Sequence, residues 1–368
     1  MKTKLKNIVL TATFVCLLFA LSIICILKPS TPFSTSERRA LAQFPELSAE
    51  TIFSGEFMDN FEQYTADQFP MREQFRSLKA FFSTKILGKK DNNQLYSADG
   101  HISKLEYPEN PEMLDYAAQK LNFLYSTYMK DKNVNIYSSL IPDKNYFLAE
   151  SNGYLSMDYK DFIERFNQKL PFAKPIDLLP LLSADDYYQP DSHWKQESII
   201  DVAQHLANQM GTSVETEYHL NTLAGPFHGV FAGQLALPAK PDTLNYLTSD
   251  TLDNCIVTYY DSGKPKIGEM YNMEKANGKD PYEMFLSGSS PLLTIENPNF
   301  KGERELIIFR DSYAGSLAPL LASGYKKITL VDIRYIQSGF VGNYVNFDTQ
   351  DVLFLYSTSL INNSTALR

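Results

Sequence analysis

The feature that most limits how this chain can fold is a long apolar run near its N-terminus. No charged residue interrupts residues 8–27, and a helix of about 20 apolar residues crosses the roughly 30 Å hydrocarbon core of a bilayer. Lys2, Lys4 and Lys6 precede the run, and basic residues beside a span mark its cytoplasmic side. The pattern predicts a cytoplasmic segment at 1–7, a single-pass transmembrane anchor at 8–27, and an extracytoplasmic remainder.

A cleaved signal peptide would place the remainder on the same side of the membrane. Such peptides end at a small-residue site of the Ala-x-Ala kind, and no such site closes this run. Cys25 is a poor lipidation site because the bulky Ile23 and Ile24 precede it. An uncleaved signal-anchor in the cell membrane is therefore the favoured interpretation.

Charge and metal-binding residues exclude several classes of protein. The net charge of −9 disfavours nucleic acid as a partner. Cys16 and Cys25 lie inside the apolar run, so Cys255 alone remains outside it, and neither a disulfide nor a cysteine zinc site is expected there. Four histidines show no ligand spacing, namely His101, His205, His219 and His228. No metal or other cofactor is expected.

Beyond the anchor, the apolar pattern changes along the chain. Residues 28–56 are rich in proline, serine and threonine, which is typical of a linker. Two helices broken near Pro70 are expected at 57–87. Further on, helical patterns alternate with short apolar strands, which predicts an α/β domain at 57–368 with a parallel sheet flanked by helices. The clearest strands are predicted at 134–141, 305–310, 327–332 and 352–356, with a helix at 314–324.

Residues 213–300 differ from the segments around them. They contain seven of the chain's 17 glycines and several short alternating runs. This composition predicts an irregular, partly β insertion that could cover or shape a cleft.

The first candidate site is the segment 190–194, Pro-Asp-Ser-His-Trp. In an extended backbone, Asp191 and His193 would share one face, and a carboxylate beside an imidazole makes a general base. A solvated surface pair, or a helix N-cap by Asp191 or Ser192, would explain the same residues. Trp194 could pack behind the motif or stack on a sugar ring, and packing is the favoured interpretation.

The second candidate is the segment 309–314, where a predicted strand gives way to a helix. A hydroxyl at Ser312 would lie near the first free N–H groups of that helix, where a developing oxyanion is favoured. The alternative is N-capping, since Asp and Ser are the preferred caps.

Topology connects the candidates. Ligands of parallel sheets gather at the carboxyl ends of the strands, and several polar residues follow such ends: Asp143, Lys144, Ser312, Arg334, Tyr335 and Ser357. Arg334 could stabilise an oxyanion or bind an acidic sugar, with Tyr335 beside it. A surface ion pair is the alternative for Arg334.

Four segments resemble the SGNH-hydrolase-like proteins of bacterial polysaccharide O-acetylation, which include alginate O-acetyltransferases and the DHHW proteins of Gram-positive bacteria. They are residues 37–45, 67–72, 190–194 and the strand-to-helix elbow around Ser312. The resemblance implies an SGNH-hydrolase-like domain with a catalytic triad of Asp191, His193 and Ser312. Two residues depart from the family pattern: Ser192 stands where DHHW proteins have a second His, and Arg310 stands where Gly usually precedes the Asp-Ser pair. Members of this family also have an Asn in one of their sequence blocks. Asn297 and Asn299 are the candidates for it here, but both precede the strand that leads to Ser312.

The residues and the resemblance together predict a serine-dependent O-acetyltransferase that acts on a cell-surface polysaccharide. The resemblance alone implies a membrane-bound O-acyltransferase as the acetyl donor. Two other functions remain open: a non-catalytic carbohydrate-binding or assembly protein on the same fold, and a secreted carbohydrate acetylesterase. The first predicts that Ser312 and His193 lie beyond hydrogen-bond reach, whereas the second differs from the transferase only in its acceptor.

Overall fold

The computed structural model describes residues 2–261 and 263–368. Met1 of the predicted cytoplasmic segment and Ser262 of the predicted insertion therefore lie outside the described residues. The chain divides into two compact units. We call Met1–Asn92 with Gly233–Pro238 the N-terminal unit, and Asn93–Ala232 with Ala239–Arg368 the sheet unit.

The N-terminal unit begins with the predicted apolar helix, α1 (Lys2–Leu27). Among the described residues, one helix is long and apolar enough to cross a membrane, over Thr3–Cys25. The shorter elements that follow are β1 (Phe33–Ser34), β2 (Arg39–Ala40), α2 (Ala49–Ser54), α3 (Glu56–Asp67) and α4 (Arg72–Phe81). Two helices separated around Pro70 are thus present as predicted.

Residues 28–56, predicted as a linker, contain ordered elements. Strands β1 and β2 pair antiparallel, and Ser48 caps α2 by accepting a hydrogen bond from the Thr51 N–H. The Asp67 carboxylate at the end of α3 accepts hydrogen bonds from the Arg39 guanidinium and from the Ala42 N–H. These contacts attach the segment to the helices that follow. The domain boundary at residue 57 stays a prediction.

An eight-stranded sheet forms the centre of the sheet unit, in the order β10-β9-β11-β13-β12-β14-β5-β6. The strands of this unit are β3 (Leu95–Ala98), β4 (His101–Lys104), β5 (Asn135–Ile141), β6 (Lys174–Pro175), β7 (His219–Thr222), β8 (Asn245–Thr248), β9 (Ile256–Tyr259), β10 (Lys266–Gly268), β11 (Leu292–Glu296), β12 (Glu305–Arg310), β13 (Lys327–Val331) and β14 (Asp351–Ser357). Strands β13, β12, β14, β5 and β6 are parallel, with Ile307 of β12 opposite Thr329 and Val352 of its neighbours. The predicted parallel α/β sheet is confirmed.

The predicted insertion contributes more to this sheet than its composition indicates. Its strands β9, β10 and β11 extend the parallel sheet on one side, and each pairs antiparallel with its neighbours. The sheet is therefore mixed. A short connection, residues 260–265, accounts for the pairing of β9 with β10, since a hairpin joins antiparallel strands whereas a parallel pair needs a long crossover. Strands β3 and β4, and β7 and β8, form separate two-stranded pairs.

Helices cover both faces of the sheet. The helices of the rest of the chain are α5 (Pro111–Leu124), α6 (Lys144–Leu148), α7 (Tyr159–Gln168), α8 (Ile200–Gln209), α9 (Val230–Leu235), α10 (Asp250–Asn254), α11 (Met273–Ala276), α12 (Ala314–Leu321) and α13 (Thr358–Asn362). Alternate residues of β12 enter two different cores: Ile308 packs in the cluster that contains α8 and α12 residues, and Ile307 in the cluster that contains α5 and α7 residues. Strands buried on both faces account for the continuous apolar runs in the sequence.

Candidate active site

Ser312 lies between β12 and α12, at the carboxyl edge of the parallel strands. Its Oγ is 2.8 Å from His193 Nε2. The hydroxyl does not cap the helix, because α12 begins after Tyr313 and has no side-chain cap. The buried Asp311 carboxylate instead accepts hydrogen bonds from the Tyr313 and Ser357 N–H groups. Asp311 thus fixes the elbow, and the Ser312 hydroxyl remains available to His193.

The segment that carries Asp191 and His193 is bent rather than extended. Asp191 Oδ1 accepts hydrogen bonds from the His193 backbone N–H at 3.1 Å and from Nδ1 of the same residue at 2.7 Å. An Asp side chain that bonds its own backbone two residues on makes a local turn. A proton on Nδ1 directs the lone pair of Nε2 at Ser312. The pair is therefore not a solvated surface pair, and neither Asp191 nor Ser192 is the N-cap of the helices that follow, which begin after Lys195 and Ile199.

A backbone group from the predicted insertion completes the environment of Asp191. The carboxylate is fully buried, and its Oδ2 accepts a hydrogen bond of 2.8 Å from the Val230 N–H. Gly229 makes this approach possible. A Cβ at that position would lie 2.2 Å from the Pro190 carbonyl oxygen and 2.5 Å from Asp191 Cβ.

Gly229→Ala is therefore expected to lower the free energy of unfolding by about 1–3 kcal/mol, because the added methyl group meets a peptide carbonyl that cannot rotate away. Gly339→Ala is the matched control, since a Cβ there meets nothing within 4 Å. Denaturant unfolding of both variants checks the prediction. Equal stability of the two would contradict the close packing of Gly229 on the Pro190 carbonyl.

Aromatic rings hold His193 in place. The Tyr282 ring stacks on the imidazole at a centroid distance of 3.9 Å and an interplanar angle of 13°, and the Tyr282 hydroxyl lies 2.8 Å from Ser316 Oγ. The Tyr313 hydroxyl donates to the Ser192 carbonyl oxygen. These contacts leave the imidazole little freedom to rotate away from Ser312.

Trp194 is fully buried behind the motif. Its indole N–H donates to the Tyr313 carbonyl oxygen at 3.1 Å and to Ser316 Oγ at 3.0 Å. Stacking on a sugar would require an exposed ring face, which Trp194 lacks. Trp194 therefore packs behind the motif, as the favoured interpretation of the sequence has it, and its ring is not exposed to bind a substrate.

A cavity of about 320 Å³ opens beside Ser312. Arg334, Lys144, Asp143 and Ser357 line it, as the topology of the sheet predicts. Tyr335 instead borders a neighbouring cavity of about 590 Å³, although its ring lies 5.5 Å from the Arg334 guanidinium.

Arg334 is paired within the chain rather than at the surface. Its guanidinium binds both carboxylate oxygens of the fully buried Asp332. Burial lowers the pKa of Arg334, but the hydrogen bonds and the charge of Asp332 more than offset burial and raise the pKa above its usual value. Arg334 therefore presents a fixed positive charge to the cavity.

Lys144 connects the site to the strand-end turn after β5. Its ammonium donates to the carbonyl oxygens of Tyr188 and Gln189, just before the Asp191 turn, at 2.8 and 3.0 Å. Burial lowers the pKa of Lys144 to about 7. The adjacent Asp143 has its pKa raised to about 7, first by burial and then by the charge of Glu106.

The two buried groups should affect stability in different pH windows. The unfolded chain keeps the Lys144 proton up to pH 10.5, whereas the folded chain releases it near pH 7. Between these values the unfolded state binds more protons, so the free energy of unfolding rises with pH. Asp143 acts oppositely: the folded state binds more protons between pH 3.8 and about 7, so stability falls with rising pH there.

Lys144→Met is expected to remove the rise above pH 7, and to cost about 1–3 kcal/mol because two carbonyl groups lose their donor. Asp143→Asn is the control, which should remove only the fall between pH 3.8 and about 7. Urea titrations across pH measure both. An unchanged slope above pH 7 in Lys144→Met would contradict the depressed pKa.

Three residues near the motifs have positions that the sequence left open. Arg310, which stands in place of the family's Gly, is buried and donates to the carbonyl oxygens of Gly288 and Ser290. Asn297 donates to the Ala322 carbonyl oxygen and, with Asn299, lies near the start of β13, at the edge of the sheet opposite Ser312. Neither asparagine reaches the site.

No signal in the sequence marks Tyr282 or the Val230 N–H as part of the site. Both belong to the irregular insertion, where neither periodicity nor a motif marks them. The one related expectation from the sequence was that the insertion could shape a cleft.

Comparison with known proteins adds evidence on the fold. No protein-family model matches the sequence, and no curated protein matches it. Among solved structures, a DHHW family protein from Eubacterium siraeum matches with a TM-score of 0.61 and 23% identity, over 74% of this chain and 92% of that one. PatB1 from Bacillus cereus, with a sulfonyl adduct, matches with a TM-score of 0.57 and 20% identity, over 73% of this chain and 97% of that one.

The O-acetyltransferase domain of Pseudomonas putida AlgJ is more distant, with a TM-score of 0.43 and 11% identity over 73% of this chain and 92% of that domain. The first two matches cover nearly the whole of the compared chains. The expectation drawn from the sequence resemblance is therefore confirmed at the level of fold: the chain has the α/β fold of the DHHW protein and of PatB1.

Proposed function

We propose that this protein is an O-acetyltransferase that transfers acetyl groups to a cell-surface polysaccharide, with Ser312 as its nucleophile. One observation carries the proposal: Ser312 Oγ, His193 and Asp191 form a continuous chain of hydrogen bonds of 2.8 and 2.7 Å. A nucleophile bonded to a base that a carboxylate orients is the arrangement that acyl transfer by serine requires.

The first half-reaction forms an acetyl-enzyme. His193 Nε2 takes the proton of the Ser312 hydroxyl while Oγ attacks the acetyl carbonyl carbon of the donor. The tetrahedral intermediate collapses, the donor's leaving group departs with the proton from His193, and acetyl-Ser312 remains. Asp191 holds Nδ1–H in place and stabilises the imidazolium that forms.

The second half-reaction transfers the acetyl group. His193 takes the proton of a sugar hydroxyl, whose oxygen attacks the acetyl-Ser312 carbonyl carbon. Collapse releases the acetylated sugar and returns the proton to Ser312. Water in place of the sugar would give acetylesterase activity by the same steps.

Developing negative charge needs donors near Ser312. The Tyr313 N–H is already bonded to Asp311. We therefore assign the oxyanion to the Ser312 and Ala314 N–H groups at the start of α12, where the helix dipole favours negative charge. Arg334 lines the same cavity and adds a positive charge for the oxyanion or for an acidic sugar.

The non-catalytic alternative predicts that Ser312 and His193 lie too far apart to bond. Their 2.8 Å separation favours catalysis. The likeness of fold to PatB1 suggests a suitable probe, because that protein has been solved with a sulfonyl adduct, and sulfonyl reagents add to activated nucleophiles.

In the cell, we propose that α1 spans the membrane with the sheet unit outside. A membrane-bound O-acyltransferase would supply the acetyl group, and the anchor would keep Ser312 near both that donor and the growing polymer. The apolar length of α1 supports the anchor.

Intact-protein mass spectrometry tests the proposal. The full-length protein in detergent is incubated with an activated acetyl ester, or with a sulfonyl fluoride, and compared with Ser312→Ala. One retained group on the wild type and none on the variant is expected. Ser192→Ala is the matched control, because its hydroxyl lines the same cavity but lies 3.4 Å from Nδ1 rather than near Nε2, and it should keep the label.

A labelled Ser312→Ala variant, or an unlabelled but folded wild type, would refute the serine mechanism and favour the binding-protein function. Adding polysaccharide to the acetylated protein then identifies the acceptor. Acetyl transfer to sugar supports the transferase, whereas release as acetate alone supports the esterase.

A further inference from the structure

Helix α4 and the π-helical turn that follows it, Phe82–Ile86, turn their apolar side chains outward. We define the apolar stripe as Met71, Phe75, Leu78, Phe82 and Ile86. Their exposed fractions lie between 47% and 61%. The spacing of three and four residues places them along one side of the helix.

The opposite side of α4 is polar and packed against the N-terminal unit. The side chains of Arg72 and Arg76 are only 14% and 15% exposed, and both guanidinium groups pair with Glu37. Ala80 on this side is fully buried. An ordinary surface helix buries its apolar face and exposes its polar one. Here the order is reversed, and the contact of the Phe75 ring with Phe69 still leaves Phe75 47% exposed.

The charge of the residues around the apolar stripe favours one kind of binding partner for it. Residues 71–90 contain six basic residues and one acidic residue, Glu73, in a chain whose net charge is −9. Arg72 and Arg76 pair with Glu37 on the packed side, and the other four basic residues are Lys79, Lys85, Lys89 and Lys90. A helix with Phe and Leu on one face and flanking lysines is typical of segments that lie in the membrane interface. Each Lys or Arg near an anionic surface contributes about 1 kcal/mol to such binding.

We propose that the apolar stripe lies in the headgroup layer of the membrane that α1 spans, with the neighbouring lysines at anionic lipid headgroups. Helix α1 belongs to the same unit as α4, so the stripe reaches a bilayer at high local concentration. The proposal rests on α1 as an anchor, but it does not depend on acetyl transfer. It gives the protein a second membrane contact in addition to the anchor.

Tryptophan quenching measures the depth of the stripe. The chain has one tryptophan, the fully buried Trp194, which supplies a constant background. Full-length Phe82→Trp is reconstituted into phosphatidylcholine and phosphatidylglycerol vesicles whose acyl chains carry bromine. Phe14→Trp in α1 reports the anchor. Phe340→Trp is the matched control, because Phe340 and Phe82 are both 53% exposed.

The added emission of Phe82→Trp should fall by roughly half in brominated vesicles, as expected for a side chain at the headgroup and acyl boundary. Phe14→Trp should be quenched more strongly, and Phe340→Trp should not be quenched. Omitting phosphatidylglycerol should weaken the Phe82→Trp signal.

Quenching of Phe14→Trp with none at Phe82→Trp would overturn the proposal and assign the stripe to a protein partner. No quenching at Phe14→Trp would overturn both the anchor and the stripe. Neither result alters the acetylation of Ser312, which mass spectrometry measures separately.

Discussion

Ser312→Ala and His193→Ala should each lower kcat for acetyl transfer by roughly 10⁴- to 10⁶-fold, because the members of a catalytic triad act as one unit. Without the Ser312 hydroxyl no acetyl-enzyme forms, and without His193 no group accepts its proton. In the proposed mechanism, the 2.8 Å contact of Ser312 with His193 makes each residue ineffective without the other. Release of product from an activated acetyl ester measures the rate for each variant.

A double variant tests whether Ser312 and His193 act in the same step. Two residues that act in one step should not lose activity additively, so Ser312→Ala with His193→Ala should be about as slow as either single variant. Circular dichroism verifies that each protein is folded. Losses that multiply in the double variant would indicate two independent contributions and would contradict a shared proton transfer.

Asp191→Asn should lower kcat by about 10⁴-fold while leaving KM for the acetyl donor nearly unchanged. The amide has nearly the shape of the carboxylate, but its nitrogen can donate to Nδ1. That bond would favour the tautomer with its proton on Nε2, which cannot accept the Ser312 proton. Lost negative charge would also leave the imidazolium without a partner in a buried position.

Asp242→Asn serves as the control for Asp191→Asn. Asp242 accepts a hydrogen bond from the Gln189 N–H in the same loop, yet it lies outside the chain of bonds to Ser312. Its variant should keep kcat within a few-fold of the wild type. If Asp191→Asn behaves like Asp242→Asn, the carboxylate has only a structural role.

The sequence predicted those parts of the fold that local patterns determine. The strand at 305–310 matches β12, and the predicted helix at 314–324 covers α12 and the 3₁₀ turn after it, because an apolar strand followed by a Gly-terminated helix is specified by neighbouring residues. The antiparallel extension by β9, β10 and β11 was not predicted. Its pairing depends on contacts between distant segments, which single-sequence periodicity does not contain.

The residues of the candidate site were likewise predicted only where short motifs mark them. Asp191, His193 and Ser312 lie in short motifs whose spacing suggests chemistry, and the structure brings them together. Tyr282 and the Val230 N–H come from an irregular segment and contact the motifs only after folding. For Arg334, the strand-end rule predicted the right edge of the sheet, but the buried partner Asp332 was not predicted.

The contribution of the insertion to the site has a consequence for how the site assembles. Both halves of the site depend on contacts between distant segments: Asp311 at the elbow accepts a hydrogen bond from the Ser357 N–H, and Asp191 accepts one from the Val230 N–H. Contacts of this kind form only after the intervening loops have closed. The elbow and the oriented imidazole should therefore become ordered in the same late stage of folding, so that Ser312 and His193 would reach bonding distance only in the completed sheet unit.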